Sequence, residues 1–170
     1  MNAAQPICGG ADPLAVIEED HALHLELCDV LERLADALPH DADQGLARVA
    51  VTFLRNGFPA HLRMEEHVLS QLLERHAAPA GLLRPIIEHL KAEHSADECA
   101  ALEIADELQV LVEHGRVANA DMLGYMVRGF FEAQRRHIWW ENSVLLPLAR
   151  EALTSEDPAK VQSWIRGAVG

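Results

Sequence analysis

Three pairs of residues in this chain repeat one arrangement: His61 with Glu65, His94 with Glu98, and His137 with Glu141. On a helix, residues four apart share a face about 6 Å apart along the axis, so each pair would aim an imidazole and a carboxylate the same way. Neutral imidazole nitrogen and carboxylate oxygen are donors that suit iron, manganese and zinc. His21 or His24 adds a donor from an earlier segment. The set His21, His61, Glu65, His94, Glu98, His137 and Glu141 would hold two cations that share carboxylates. Buried without such ions or other partners, so many charges would be expensive. None of the donors is a thiolate, which argues against a closed structural zinc site.

Four helical runs must position these pairs. Asp12-Pro13 reads as an N-cap followed by a first-turn proline, and Pro39 closes the first run. Leu14, Ile17, His21, His24, Cys28, Leu31, Ala35 and Leu38 recur along it at spacings of three and four, one stripe of an amphipathic helix. The second run, about Asp43 to His76, meets Pro59, which should kink it or split it near Gly57. Beyond the proline, His61, Glu65, Val68 and Leu72 share a face. The third run, about Pro79 to Gly115, places Leu83, Ile87, Leu90, His94, Glu98, Ala101, Ala105, Leu108 and Val112 on its stripe, with Gly115 as C-cap. The fourth, about Asn119 to Glu151, carries Phe130, Gln134, His137, Glu141, Val144 and Leu148. A short fifth helix is expected from near Ser155, with Pro158 in its first turn.

Long helices with short connections imply an all-α, up-down-up-down four-helix bundle over residues 12–152. An extended or disordered segment over 1–11 would precede it, and the short C-terminal helix within 153–170 would pack on it. Helical rise supplies a test of whether the polar pairs meet. Counted from one end of the bundle, His21 lies at about 14 Å and the three pairs at about 20, 23 and 17 Å, one layer within the uncertainty of the boundaries. His24 would lie at about 18 Å, so height does not choose between it and His21.

Composition agrees with this reading and narrows the partners. The chain has 170 residues, enough for one self-sufficient core, and is 49% hydrophobic but only 5% aromatic, dominated by the helix formers Leu and Ala. The formal charge is −13, and only two of the bases are lysines, Lys91 and Lys160, which excludes nucleic acid and anionic membrane surfaces as partners. No apolar run is long enough to span a bilayer, and the first residues lack the apolar core of a secretory signal, so a cytoplasmic protein is expected. Cys8, Cys28 and Cys99 are odd in number and widely spaced, unlike a disulfide framework. Cys28 and Cys99 are expected to serve as small buried apolar residues. Glu66, His67 and His89 fall off the stripes and should be solvated.

Glu-Asp-His21, His61-Leu-Arg-Met-Glu65-Glu, Glu93-His94-Ser-Ala-Asp-Glu98 and His137-Ile-Trp-Trp-Glu141-Asn together resemble the hemerythrin family of cation-binding domains. The resemblance runs from about Asp12 to Arg150. It implies a non-haem centre of two iron ions that binds O₂ or a related small diatomic or peroxide ligand, with an oxo or hydroxo group and two carboxylates bridging the irons. Manganese or zinc would accept the same donors. Carried over, His21 and His61 would serve one iron, His94 and His137 the other, and Glu65 and Glu141 would bridge. Glu98 stands where the oxygen carriers of the family have a histidine, and the fourth helix has His-x-x-x-Glu where they have a longer spacing to Asp. The extra carboxylate would favour the ferric state and turn attention from reversible carriage to sensing, delivery, detoxification, or turnover of peroxide or nitric oxide. A metal-free regulatory module is the third reading. A ferritin-like centre fits less well, since of the two Glu-x-x-His units it needs only Glu18 with His21 is present; Lys91 and Gln134 stand three residues before His94 and His137.

Overall fold

The computed structural model describes residues 14–76, 83–153 and 163. It is all-α, with no strand among the described residues. Helix α1 (Ala15–Ala37) ends where Leu38, ahead of Pro39, turns to an extended conformation (ψ 145°). Helix α2 (Gln44–Thr52) is capped by Asp43, whose side chain accepts from Gly45 N and Leu46 N. A π-turn, Phe53–Gly57, leads into α3 (Phe58–His76). The wider turn falls just before Pro59 and lets the rod continue past a residue that cannot donate its backbone hydrogen bond.

Helix α4 (Leu83–His114) ends at Gly115, whose positive φ of 68° is the left-handed C-cap that its lack of a Cβ permits. Helix α5 (Ala120–Trp140) is capped by Asn119, whose side chain accepts from Met122 N. A second π-turn, Glu141–Leu145, joins it to α6 (Leu146–Leu153). The expected Asp12-Pro13 cap, the extended start and the fifth helix near Ser155 lie outside the described residues.

The rods α1, α2-α3, α4 and α5-α6 pack in a closed cycle, each against its two neighbours. Side-chain pairs show the antiparallel register. Arg128, Arg135 and Arg150 reach Asp36, Asp29 and Glu18 in descending order along α1, and Arg55 reaches Asp106 as Gln44 reaches Leu111 O. These exposed ion pairs add little stability and serve here to fix who faces whom.

Two apolar clusters fill the bundle. One joins Leu27, Leu31, Leu34, Leu54, Phe58, Ile104, Leu108, Leu123, Val127 and Phe130, and the other joins Leu14, Ile17, Met64, Val68, Ile87, Leu90, Leu145, Leu146 and Ala149. Between them lies a layer of buried polar side chains: His21, His24, His61, Glu65, His94, Gln134 and Glu141.

The α1 stripe is buried as its spacing predicts. The last stripe faces inward from Phe130 to Glu141 but not beyond: Val144 is exposed and Leu145, Leu146 and Ala149 take up the buried line. The π-turn inserts one extra residue into the helical repeat, and every inward position after Glu141 moves along by one. Cys28 is buried, but Cys99 is exposed, because the inward line of α4 passes through Ala101 rather than its neighbours on the outer side. No described helix is long and apolar enough to cross a membrane.

Candidate metal centre

Each rod delivers its part of the layer by simple helical phase. His61 and Glu65 sit one turn apart on α3, and both side chains are buried. His94 arrives from α4 and His137 from α5, and Glu141 follows one turn later where the π-turn begins. His21 is the α1 contribution. Its Nε2 lies 2.7 Å from Glu65 Oε1 and 3.1 Å from Glu141 Oε2. His61 Nε2 lies 3.1 Å from the same Glu65 Oε1. Across the layer, His137 Nε2 is 3.2 Å from Glu141 Oε1, and His94 Nε2 is 3.6 Å from Glu65 Oε2. His94 Nε2 and His137 Nε2 are themselves 3.2 Å apart.

Both carboxylates therefore extend from one pair of imidazoles to the other. Donor atoms of His21, His61 and Glu65 lie within 4.8 Å of one another, as do those of Glu65, His94, His137 and Glu141.

The layer is poorly satisfied by protein alone. Glu65 Oε2 and both oxygens of Glu141 are buried without a hydrogen bond of good geometry, although imidazole nitrogens lie close to them, and the outer nitrogen of His61 meets only the Asp20 carboxylate, at 3.5 Å. Buried polar groups are nearly always paired, and three carboxylate oxygens without good hydrogen bonds in one layer mark a place built for something else. Proton affinities report the same demand. Burial pulls the His21 pKa down, but contacts with Glu141 and Glu65 outweigh it and carry it up to about 10. His61 is likewise opposed by burial and lifted to about 9, chiefly by the Glu65 charge and by Asp20. Burial works against the Glu65 carboxylate, yet the facing His61 and His21 hold it well below the usual carboxylate range. His137, also opposed by burial, is raised by Glu141. The layer thus gathers positive charge around its two carboxylates, which is the task a cation performs.

The fit to two divalent cations is good: four imidazole Nε2 atoms and two carboxylates converge, no thiolate intrudes, and the orphaned oxygens lie on the inner side. A family model, the hemerythrin HHE cation-binding domain, matches residues 12–149. The chain belongs to that family. No curated protein and no solved structure matches the chain. Cation binding by HHE domains agrees with the donor chemistry of the layer.

Six of the seven residues expected from spacing are brought together, and Glu98 is not. Its side chain faces solvent and belongs to neither group of donors. Four residues turn a helix by about 400°, so Glu98 sits about 40° past His94. The inward line of α4 runs instead from Leu90 and His94 to Ala101, with Asp97 half-buried between them. Asp97 accepts a 2.8 Å hydrogen bond from Gln134 Nε2, and burial raises its pKa.

His24 is buried too, but against Phe53, Phe58 and the His61 ring, 4.1 Å away between centroids. Burial and the neighbouring His61 lower its pKa to about 2, so it is a neutral packing residue beside the donor groups. His21, not His24, is the α1 residue that turns a ring nitrogen to the two carboxylates.

Spacing also missed the outer edges of the imidazoles. His21 Nδ1 lies 2.7 Å from Asn142 Oδ1 and His94 Nδ1 3.3 Å from Glu66 Oε1. His61 Nδ1 lies 3.5 Å from Asp20 Oδ2, and His137 Nδ1 lies 3.8 Å from Glu93 Oε2. Glu66, expected to be merely solvated, is one of these partners. Periodicity carries no signal for them, because each belongs to a different helix from the histidine it meets.

Proposed function

We propose that this HHE domain is a non-haem di-iron protein that binds O₂ or a related small oxidant for sensing, delivery or detoxification. The observation that supports it most is the pair of buried carboxylates with orphaned oxygens set among four inward imidazoles. His21 and His61 would hold one ion and His94 and His137 the other, with Glu65 and Glu141 shared between them. Two iron ions bound there would supply reversible one-electron chemistry and open coordination for a small oxidant. The chain's own contribution is to fix the imidazoles and keep water out. Two apolar clusters close the layer from above and below, and three of the four imidazoles are 1–4% exposed.

Purified protein loaded with ferrous iron under argon should take up close to two equivalents and develop near-ultraviolet charge-transfer bands on exposure to air. A stoichiometry near zero, unchanged by combining His61→Ala with His137→Ala, would overturn the proposal. His21→Leu should lose an ion, whereas His24→Leu should keep both. Each ion present at a thousand times its dissociation constant would stabilise the fold by about 4 kcal/mol, which a chelator reverses.

A second reading, catalytic consumption of peroxide or nitric oxide, rests on a cleft of about 440 Å³ between α4 and α5. His89, Glu93, Asp97, Arg136, His137 and Trp140 line it, so it reaches the outer edge of one imidazole of the layer. Multiple turnovers abolished by His94→Ala would establish this reading; a single stoichiometric oxidation would rule it out.

A further inference from the structure

The four outer partners follow a rule. Asp20, beside His21 on α1, faces His61 on α3, while Glu66, beside Glu65 on α3, faces His94 on α4. Glu93, beside His94 on α4, faces His137 on α5, and Asn142, beside Glu141 after α5, faces His21 on α1. Each rod thus offers a donor of the inner layer and, from the adjacent position in the chain, an oxygen to the outer nitrogen of the next rod's histidine. The ring closes around the bundle in the order α1, α3, α4, α5 and back to α1.

Adjacent side chains on a helix diverge by about 100°, which is how one position can point inward while its neighbour reaches sideways to the next rod. An oxygen on Nδ1 selects the imidazole form that carries its proton there, leaving the Nε2 lone pair free for the inner side.

The members of the ring differ in strength and kind. At 2.7 Å, Asn142 makes the shortest contact, and its amide is the one uncharged acceptor among three carboxylates. Glu141 and Asn142 grip one ring from both edges: Glu141 Oε2 is 3.1 Å from Nε2 of His21, while Asn142 Oδ1 takes Nδ1. Both residues open the π-turn. We infer that Asn142 is a positioning residue that locks His21 with its Nε2 turned to the inner layer; Glu66 holds His94 in the same way, while Asp20 and Glu93 face His61 and His137 at 3.5 and 3.8 Å as charges rather than as hydrogen-bond acceptors. The inference rests on the two-ion reading above. Asn142 itself is largely solvent-exposed, so shortening its side chain opens no cavity in the core.

Zinc is the probe, because it is diamagnetic and accepts the same donors. Wild-type protein should bind two zinc ions and show a slowly exchanging Nδ1–H resonance for His21 in a proton–nitrogen correlation spectrum. Asn142→Ala should weaken one of the two ions by about 10- to 100-fold and lose that resonance to exchange with water, with the other ion held as before. Asn142→Asp, which restores an acceptor, should recover both. Glu93→Gln, altered at the longest contact of the ring, should change zinc binding least. Asn142→Ala with wild-type affinity for both ions and an intact His21 resonance would overturn the assignment. So would Asn142→Asp as weak as Asn142→Ala. Wild-type protein that binds no zinc would instead overturn the two-ion reading, and this inference with it.

Discussion

The apolar cluster around Leu31, Leu54, Leu108 and Phe130 and the polar layer beside it are built on the same four rods, yet they are stabilised in opposite ways. In the cluster every side chain is satisfied by burial itself, and nothing beyond the chain is needed. In the layer burial is the cost: desolvation opposes the charged forms of His21, His61 and Glu65, and only their mutual contacts outweigh it. The cluster is therefore a source of fold stability that does not depend on protonation or on bound ions. The layer's stability depends on what compensates its charges: protons in the metal-free protein and, under the proposed function, cations.

The sharpest way to separate the two regions is to damage the cluster alone. Leu108 is 1% exposed, and Leu108→Ala should cost about 2–5 kcal/mol through lost burial and the cavity left behind. Urea unfolding should show the same loss with and without added ions, and the proposed stoichiometry of two should be the same as in wild type. A loss that depended on the ions would mean that the two regions are not independent.

A second contrast comes from pH. In the unfolded chain an imidazole titrates near ~6.5. His21 at about 10 and His61 at about 9 are raised above that value, so their contribution is complete below pH ~6.5 and disappears as pH rises through about 9 and 10. Metal-free protein should therefore lose stability across that alkaline window. At the acid end the signs reverse: the depressed Glu65 contributes above its ordinary carboxylate range and loses this as pH falls, and His24, held neutral, resists protonation below ~6.5. In zinc-loaded protein the ions have displaced the inner protons, and the alkaline decline should shrink or vanish. Urea titrations of both forms from neutral pH to about pH 10 compare them directly. Parallel declines would break the distinction.

The smallest effect concerns two cysteines on either side of the boundary between interior and surface. Cys28 is buried, which raises its thiol pKa to about 11, while Cys99 is exposed. Iodoacetamide at neutral pH should label Cys99 and spare Cys28 in the folded protein, as peptide mapping by mass spectrometry would show. Cys99→Ser should leave stability within about 0.5 kcal/mol of wild type.

Much of the fold was legible in the residues. Proline, glycine and the capping residues Asp43 and Asn119 marked helix ends, and the α1 stripe predicted its buried face from Leu14 to Ala35. Five donors of the layer, His61, Glu65, His94, His137 and Glu141, followed from the i to i+4 rule and from rise per residue, because helix geometry is local and repeats; the donor from the first helix was left between His21 and His24. Three features escaped. Glu98 obeys the same spacing as Glu65 and Glu141 but turns outward, since the phase of α4 is set by what packs on either side of it. Val144 was displaced to the surface and Leu148 to the edge of the core by a π-turn that no spacing announces. The acceptors Asp20, Glu66, Glu93 and Asn142 meet histidines on other rods, and a one-dimensional pattern does not say which side chains of different helices become neighbours.

By itself, then, the sequence determined the helices, their amphipathic faces and the presence of a polar layer of histidine and glutamate at a common height. These depend on local propensity and on a fixed rise and twist per residue. Tertiary structure decided which glutamates join the layer, that His21 rather than His24 turns its nitrogen to them, and which oxygens hold the outer edges of the imidazoles. Those choices depend on helix phase and on contacts between rods, and both are settled only when the four faces pack against one another.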